Sequence, residues 1–143
     1  MAALTASVTI QTRARAGRDA YIVDGSTTIY SGGLVGVNTA GHLVAWADTS
    51  GHEFLGLALG NIAGGETAED IPIDTSGCII ESAAVASGVQ ASVGELIYGA
   101  SSNVDDMALS ASNTGPIGIG IRFISAGVMD VQLFTPTEHL ATN

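Results

Sequence analysis

Residues 117–133 read IGIGIRFISAGVMDVQL, and this stretch decides the fold class. Isoleucine alternates with glycine in its first half, which predicts a strand with one apolar face and one glycine face. A glycine face predicts in turn that another backbone or a bulky side chain packs closely against the strand. After a turn at 125–127 the chain alternates again, with Met129, Val131 and Leu133 predicted to point inward. The two runs therefore predict two neighbouring strands.

The rest of the chain carries the same kind of signal. With 19 glycines and only 13% charged residues, the composition favours short strands and tight turns over long surface helices. We therefore predict an all-β chain, a small antiparallel β-barrel or sandwich with one short helical turn near 90–95. Short apolar runs bounded by turn residues occur at TASVTIQT (5–12), AYIV (20–23), LVGV (34–37) and HLVAW (42–46).

Charge divides the chain unevenly. Residues 1–18 contain three arginines and no acidic residue, whereas residues 19–143 contain 14 acidic residues, one arginine and no lysine. The acidic part would be repelled by nucleic acid and by anionic membranes. Without lysine, Schiff-base and P-loop chemistry are excluded. We predict an extended N-terminal arm at 1–18, a β domain at 19–134 and a mobile C-terminal tail at 135–143.

The tetrapeptide DTSG occurs twice, at 48–51 and at 74–77, and raises the question of a catalytic aspartate pair. Aspartic proteases carry Asp-Thr/Ser-Gly, but here one extra residue, a serine, separates the threonine from the glycine. Aspartate accepts hydrogen bonds from the backbone of its own turn, and glycine takes the left-handed position that closes it. We therefore predict that each copy is a four-residue hairpin loop, and an acid hydrolase using Asp48 and Asp74 stays a remote alternative.

Other chemical signals are weak. The single cysteine, Cys78, is flanked by glycine and isoleucine, which favours a buried structural thiol over a reactive one. No histidine or cysteine spacing typical of a metal site is present, and the segment NVDDM at 103–107 is interpreted as a solvated loop. No nucleophile elbow or phosphate loop is present. We therefore expect no enzymatic activity, metal or cofactor.

The order of the segments resembles the capsid cement, or head decoration, proteins of tailed bacteriophages. The resemblance extends over 27–134, about three quarters of the chain, and the arginines of the arm have no match in the family pattern. The segments that carry it are YSGGLVGVNTAGHLVAWADTSGHEFLGLAL (30–59), EDIPIDTSGCI (69–79), ASVGELIYG (91–99), IGIGIR (117–122) and GVMDVQLF (127–134).

The resemblance implies a structural virion protein, made in the host bacterial cytoplasm and found on the outer capsid surface. Such proteins bind the expanded shell, commonly as homotrimers at local three-fold positions, and stabilise it against the pressure of packaged DNA. Its partners would then be the major capsid protein and its own copies, with no nucleic acid and no membrane. A carbohydrate- or host-binding β domain of a virion fibre is the alternative.

Two sets of residues are candidates for contacts with these partners. In the arm, Val8 and Ile10 could add a strand to a capsid sheet, and Arg13, Arg15 and Arg18 could pair with capsid carboxylates. An ordinary first strand followed by a solvated loop explains the same residues equally well. Candidates for a subunit interface are Trp46, which could also be a core ring, and Arg122.

Overall fold

The fold is mainly β, as the composition predicts. The computed structural model describes residues 17–25, 27–63 and 68–142. Its strands are β1 (Gly17–Ile22), β2 (Thr28–Ile29), β3 (Leu34–Val37), β4 (Leu43–Ala45), β5 (Glu53–Ala58), β6 (Ile62–Ala63), β7 (Ala68–Asp74), β8 (Ile79–Ala86), β9 (Leu96–Gly99), β10 (Met107–Ala108), β11 (Gly118–Ser125) and β12 (Val128–Leu133). A 3₁₀ turn at Gln90–Ser92 confirms the predicted helical turn, and a short helix, α1, occupies Pro136–Thr142.

The first half of the described chain forms an antiparallel sheet in the order β1-β7-β5-β3-β4. Its strands β3 and β4 form the hairpin whose turn lies at the predicted NTAG segment, where Asn38 Oδ1 accepts hydrogen bonds from the backbone of Ala40 and His42. One face of the sheet covers a small core. The buried side chains of this core are Val23, Ile29, Val35, Leu43, Ala58 and Ile73.

The second half closes into a small barrel in the order β10-β8-β12-β11-β9. Of the two predicted architectures, barrel and sandwich, this half forms the barrel. Strands β11 and β12 are the antiparallel pair predicted from residues 117–133, and Met129, Val131 and Leu133 point inward as predicted. The glycine face of β11 also points inward, where a Cβ on Gly120 would lie 2.8 Å from the methyl carbon of Met129. The barrel is antiparallel except for a two-residue parallel pairing of β10 with β8.

Trp46 joins the sheet to the barrel. It follows β4, is 1% exposed, and its indole Nε1 donates a 2.9 Å hydrogen bond to the carbonyl of Gly99 in β9. Its ring makes a T-shaped contact with Phe54 of β5, with centroids 5.5 Å apart. A buried indole needs a partner for its N–H, and this bond supplies one across 53 residues of sequence.

Two predicted boundaries change. The last two residues of the predicted arm, Gly17 and Arg18, belong to β1, where they lie opposite Ile73 and Pro72 of β7. The predicted tail at 135–143 forms helix α1 over Pro136–Thr142 instead of a mobile segment. Residues 1–16, and with them the predicted strand at 5–12, lie outside the described residues.

Replacement of Gly99 by alanine tests whether close packing around Trp46 holds the fold together. The added Cβ would lie 2.7 Å from Trp46 Nε1 and 2.8 Å from Ile117 Cδ1, so neighbouring groups must move. We expect Gly99→Ala to lower the free energy of unfolding by about 1–3 kcal/mol in urea titrations. Gly60→Ala is the control, since its Cβ would meet only the ring of Pro72, at 3.3 Å. Equal stability of the two variants would contradict the prediction.

Candidate functional site

Asp48, in the first DTSG copy, holds a distant loop in place. Its carboxylate accepts hydrogen bonds from the backbone N–H groups of Ser112 and Asn113 at 3.0 and 3.1 Å, and from the hydroxyl of Thr114 at 2.7 Å. The bond from the Thr114 hydroxyl is the largest cause that lowers the pKa of Asp48, and the backbone bonds act in the same direction. The carboxylate is thus an ionised tether between the loop after β4 and the loop before β11.

Asp74, in the second copy, acts locally. Its Oδ1 accepts a 2.9 Å hydrogen bond from the backbone N–H of Ser76 and a short one from the Ser76 hydroxyl. These two bonds are the main causes that lower the pKa of Asp74. Gly77 follows with a φ of 80°, in the left-handed region predicted for the last residue of the turn.

Both copies are turns, but neither is a hairpin loop, so that part of the prediction is wrong. The first copy links β4 to β5, which lie on opposite sides of β3. The second copy links β7 of the sheet to β8 of the barrel. Turn residues mark where a strand ends, whereas the pairing of the next strand depends on the whole sheet.

The electrostatics of the two aspartates differ from those of an acid dyad. In a dyad two carboxyl groups share one proton, so the pKa of one of them rises. Here the pKa of each carboxyl is lowered, and each is bound by its own set of hydroxyl and backbone donors. Both groups are therefore ionised near neutral pH, which suits a tether and a turn.

Cys78 lies next to the second turn and is half-buried. Burial is the largest cause that raises the pKa of its thiol, and the negative charge of Asp74 adds to the effect. A thiol with a raised pKa is a poor nucleophile because the thiolate is the reactive form. This agrees with the structural role predicted for Cys78.

The predicted contact residues fall into different places. Val8, Ile10, Arg13 and Arg15 lie outside the described residues, and Arg18 is described only by its backbone in β1.

The two candidates for the subunit interface differ. Trp46 is buried inside its own chain, which corrects the interface interpretation in favour of the core one. Arg122 lies on β11 with its side chain 73% exposed, and its Nη1 is 4.0 Å from Asp130 Oδ2. A partner at that distance leaves the guanidinium free to make further contacts, and the interface role of Arg122 stays a prediction.

The NVDDM segment borders a shallow cavity of about 210 Å³ between β8 and β10. Asp105 and Asp106 are both exposed, and Asp105 Oδ1 accepts a 3.3 Å hydrogen bond from the backbone of Ala84. No group of three potential metal ligands occurs among residues 17–25, 27–63 and 68–142. The carboxylates here border the seam of the barrel and form a polar rim on the cavity.

Sequence reasoning missed the role of His139, which is fully buried on α1. Its Nδ1 donates to the carbonyl oxygen of Pro116 at 2.7 Å, and its Nε2 lies 2.8 Å from Glu53 Oε2. The ring also makes a T-shaped contact with Trp46, with centroids 5.9 Å apart. The sequence did contain a local signal for the start of this helix. Thr135 and Glu138 have the spacing of a capping box, and they form its reciprocal hydrogen bonds.

The sequence matches no protein-family model, and a search of curated proteins also finds no match. In the part of the chain that the structure describes, no helix has the length and apolar character needed to cross a membrane.

Asp48→Asn tests the tether. The neutral amide loses charge-assisted hydrogen bonds at a partly exposed site, so we expect the free energy of unfolding to fall by on the order of 1 kcal/mol at neutral pH. Because the pKa of Asp48 is lowered by folding, the carboxylate stabilises the fold above its ordinary pKa of 3.8. That contribution is lost as the pH falls through the lower folded-state pKa, so wild type and variant should converge in acid. Urea titrations from neutral to acid pH measure both the loss of stability and its pH dependence, with Asp106→Asn as control. A difference in unfolding free energy between wild type and Asp48→Asn that stays the same at every pH would contradict the tether.

His139→Ala tests whether α1 is part of the fold. The substitution removes a buried ring together with its hydrogen bonds to the carbonyl of Pro116 and to the carboxylate of Glu53. We expect a loss of about 2–4 kcal/mol in the free energy of unfolding. Thr137→Ala on the exposed side of the same helix is expected to change stability little. A small effect of His139→Ala would mean that the helix is not docked in solution.

Proposed function

We propose that this protein is a capsid decoration protein of a tailed bacteriophage. It binds the outer surface of the expanded shell as a homotrimer and stabilises the shell against the pressure of packaged DNA. One observation carries the proposal: the segments that resemble the decoration proteins coincide with the strands that build the scaffold. They supply β3, β4, β5 and β7 of the sheet and β9, β11 and β12 of the barrel. The resemblance therefore involves both halves of the fold.

The charge distribution supports an outward position. The part of the chain from residue 19 onward carries 14 acidic residues and one arginine. A surface of this charge is repelled by DNA, so the protein suits the outside of a DNA-filled shell better than its inside. The same charge limits uncontrolled association between copies outside the lattice.

Stabilisation of the shell follows from mass action. A protein that binds only the expanded lattice lowers the free energy of that state relative to the unexpanded one. Three linked copies that engage three equivalent sites gain avidity, which can raise the overall affinity by roughly 10²–10⁴-fold without new contacts. No bond is made or broken in this mechanism, so it requires a stiff scaffold and no catalytic group.

The two alternatives have less support. A carbohydrate site usually presents exposed aromatic rings, but Trp46 is buried and Tyr30 is the one exposed ring in the part of the chain that the structure describes. For an acid hydrolase, the lowered pKa of both Asp48 and Asp74 is unfavourable because a general acid needs a raised pKa. A glycan array, and peptide cleavage at acid pH with Asp48→Asn as control, would detect either activity.

The proposal predicts binding that depends on the state of the shell. We expect the purified protein to decorate expanded shells of its cognate major capsid protein and to leave unexpanded shells bare, as seen by electron microscopy. A variant without residues 2–16 keeps β1 intact, since β1 begins at Gly17. Loss of binding by this variant would assign the contact to the arm, and retained binding would assign it to the β domain. Failure of the full chain to bind either shell would contradict the proposed function.

A further inference from the structure

A row of four residues crosses the outside of the barrel, one on each of four neighbouring strands. Leu96 of β9 lies opposite Ile119 of β11, Ile119 lies opposite Gln132 of β12, and Gln132 lies opposite Ile79 of β8. Residues directly opposite one another in antiparallel strands share a face of the sheet. We call Leu96, Ile119, Gln132 and Ile79 the outer row.

The outer row faces away from the barrel core. The adjacent residues Ile97, Gly118 and Leu133 are paired in the same way and are buried. Since successive residues of a strand point to opposite faces, the outer row points outward. Ile79 is 53% exposed and Leu96 is 38% exposed, and Ile121, two residues after Ile119, adds another side chain that is 38% exposed. The result is a mainly apolar strip across the width of four strands.

The strip differs in charge from the molecule as a whole. None of its residues is charged, although the chain has a formal net charge of −10. Arg122, the one arginine after position 18, lies beside the strip on β11. Two exposed carboxylates also border the strip. Glu81 lies two residues after Ile79 on β8, and Glu95 directly precedes Leu96 of β9. The border of the strip thus contains both signs of charge.

We propose that the outer row is the surface by which one copy of this chain contacts a second copy. Two molecules with the same net charge repel each other, and they can approach most closely where the surface is uncharged and where a cation can pair with an acidic group. The outer row and Arg122 together meet both conditions, with Glu81 or Glu95 of the other copy as the partner of the guanidinium. A strongly basic partner would instead favour the acidic surfaces elsewhere on the chain.

This inference rests on the proposed function in one respect, since a trimer on a capsid needs a contact between copies. Sedimentation of the full chain without capsids tests the contact separately from the function. We expect an oligomer that dissociates on dilution. Leu96→Glu and Ile79→Glu should each weaken it by on the order of tenfold or more, because each puts a charge into an apolar contact. Arg122→Gln should also weaken it and should reduce its sensitivity to salt.

Leu59→Glu is the matched control, because Leu59 is 54% exposed and directly follows β5 of the sheet instead of belonging to the barrel. It adds the same charge and should leave the oligomer unchanged, and thermal unfolding checks that every variant is folded. A monomer at all concentrations, or an oligomer unaffected by Leu96→Glu and Ile79→Glu, would overturn the inference. So would equal weakening by Leu59→Glu. A dimer broken by the row variants alone would support the contact and contradict the trimer of the proposed function.

Discussion

The packing of one indole ring is the constraint on which the rest of the structure depends. Trp46 fills the space between the sheet and the barrel, and glycines border it on two sides. A Cβ on Gly36 of β3 would lie 2.8 Å from the ring, and a Cβ on Gly99 of β9 would lie 2.7 Å from its nitrogen. Phe54 and His139 pack against the same ring from β5 and α1. The sheet, the barrel and the helix therefore share one close-packed centre, so a change in any of them affects the others.

Periodicity predicted the strands well because it reports which residues of a strand are buried. Met129, Val131 and Leu133 show this, and the alternation of glycine on β11 correctly indicated close packing. Contacts between distant residues could not be predicted in this way. The bond from Trp46 to Gly99 and the tether from Asp48 to Ser112–Thr114 span 53 to 66 residues. Nothing in the local sequence around Asp48 distinguishes it from Asp74, although only Asp48 holds a remote loop.

The C-terminal helix was not predicted, although its first residues carry a local helix signal. Thr135, Pro136 and Glu138 form a helix start, with proline at the first helical position and a capping box around it. Seven residues are too few for a visible apolar period, and helices this short are unstable alone. Its stability comes from His139, whose ring meets Glu53 86 residues earlier in the chain. The role of the candidate contact residues in the arm is harder still to predict from the sequence, since it depends on the surface of a partner.

The strand pairings that close the barrel differ in length, and this determines where the barrel opens first. Strands β11 and β12 pair along most of their length, whereas the parallel seam between β8 and β10 consists of Met107 with Val85 and Ala108 with Ala86. The cavity rimmed by Asp105 and Asp106 lies along this seam. Backbone amides there should exchange with solvent before those of the longer ladders. Local opening of the barrel should therefore begin at the short pairings of β10 and not at the β11–β12 ladder.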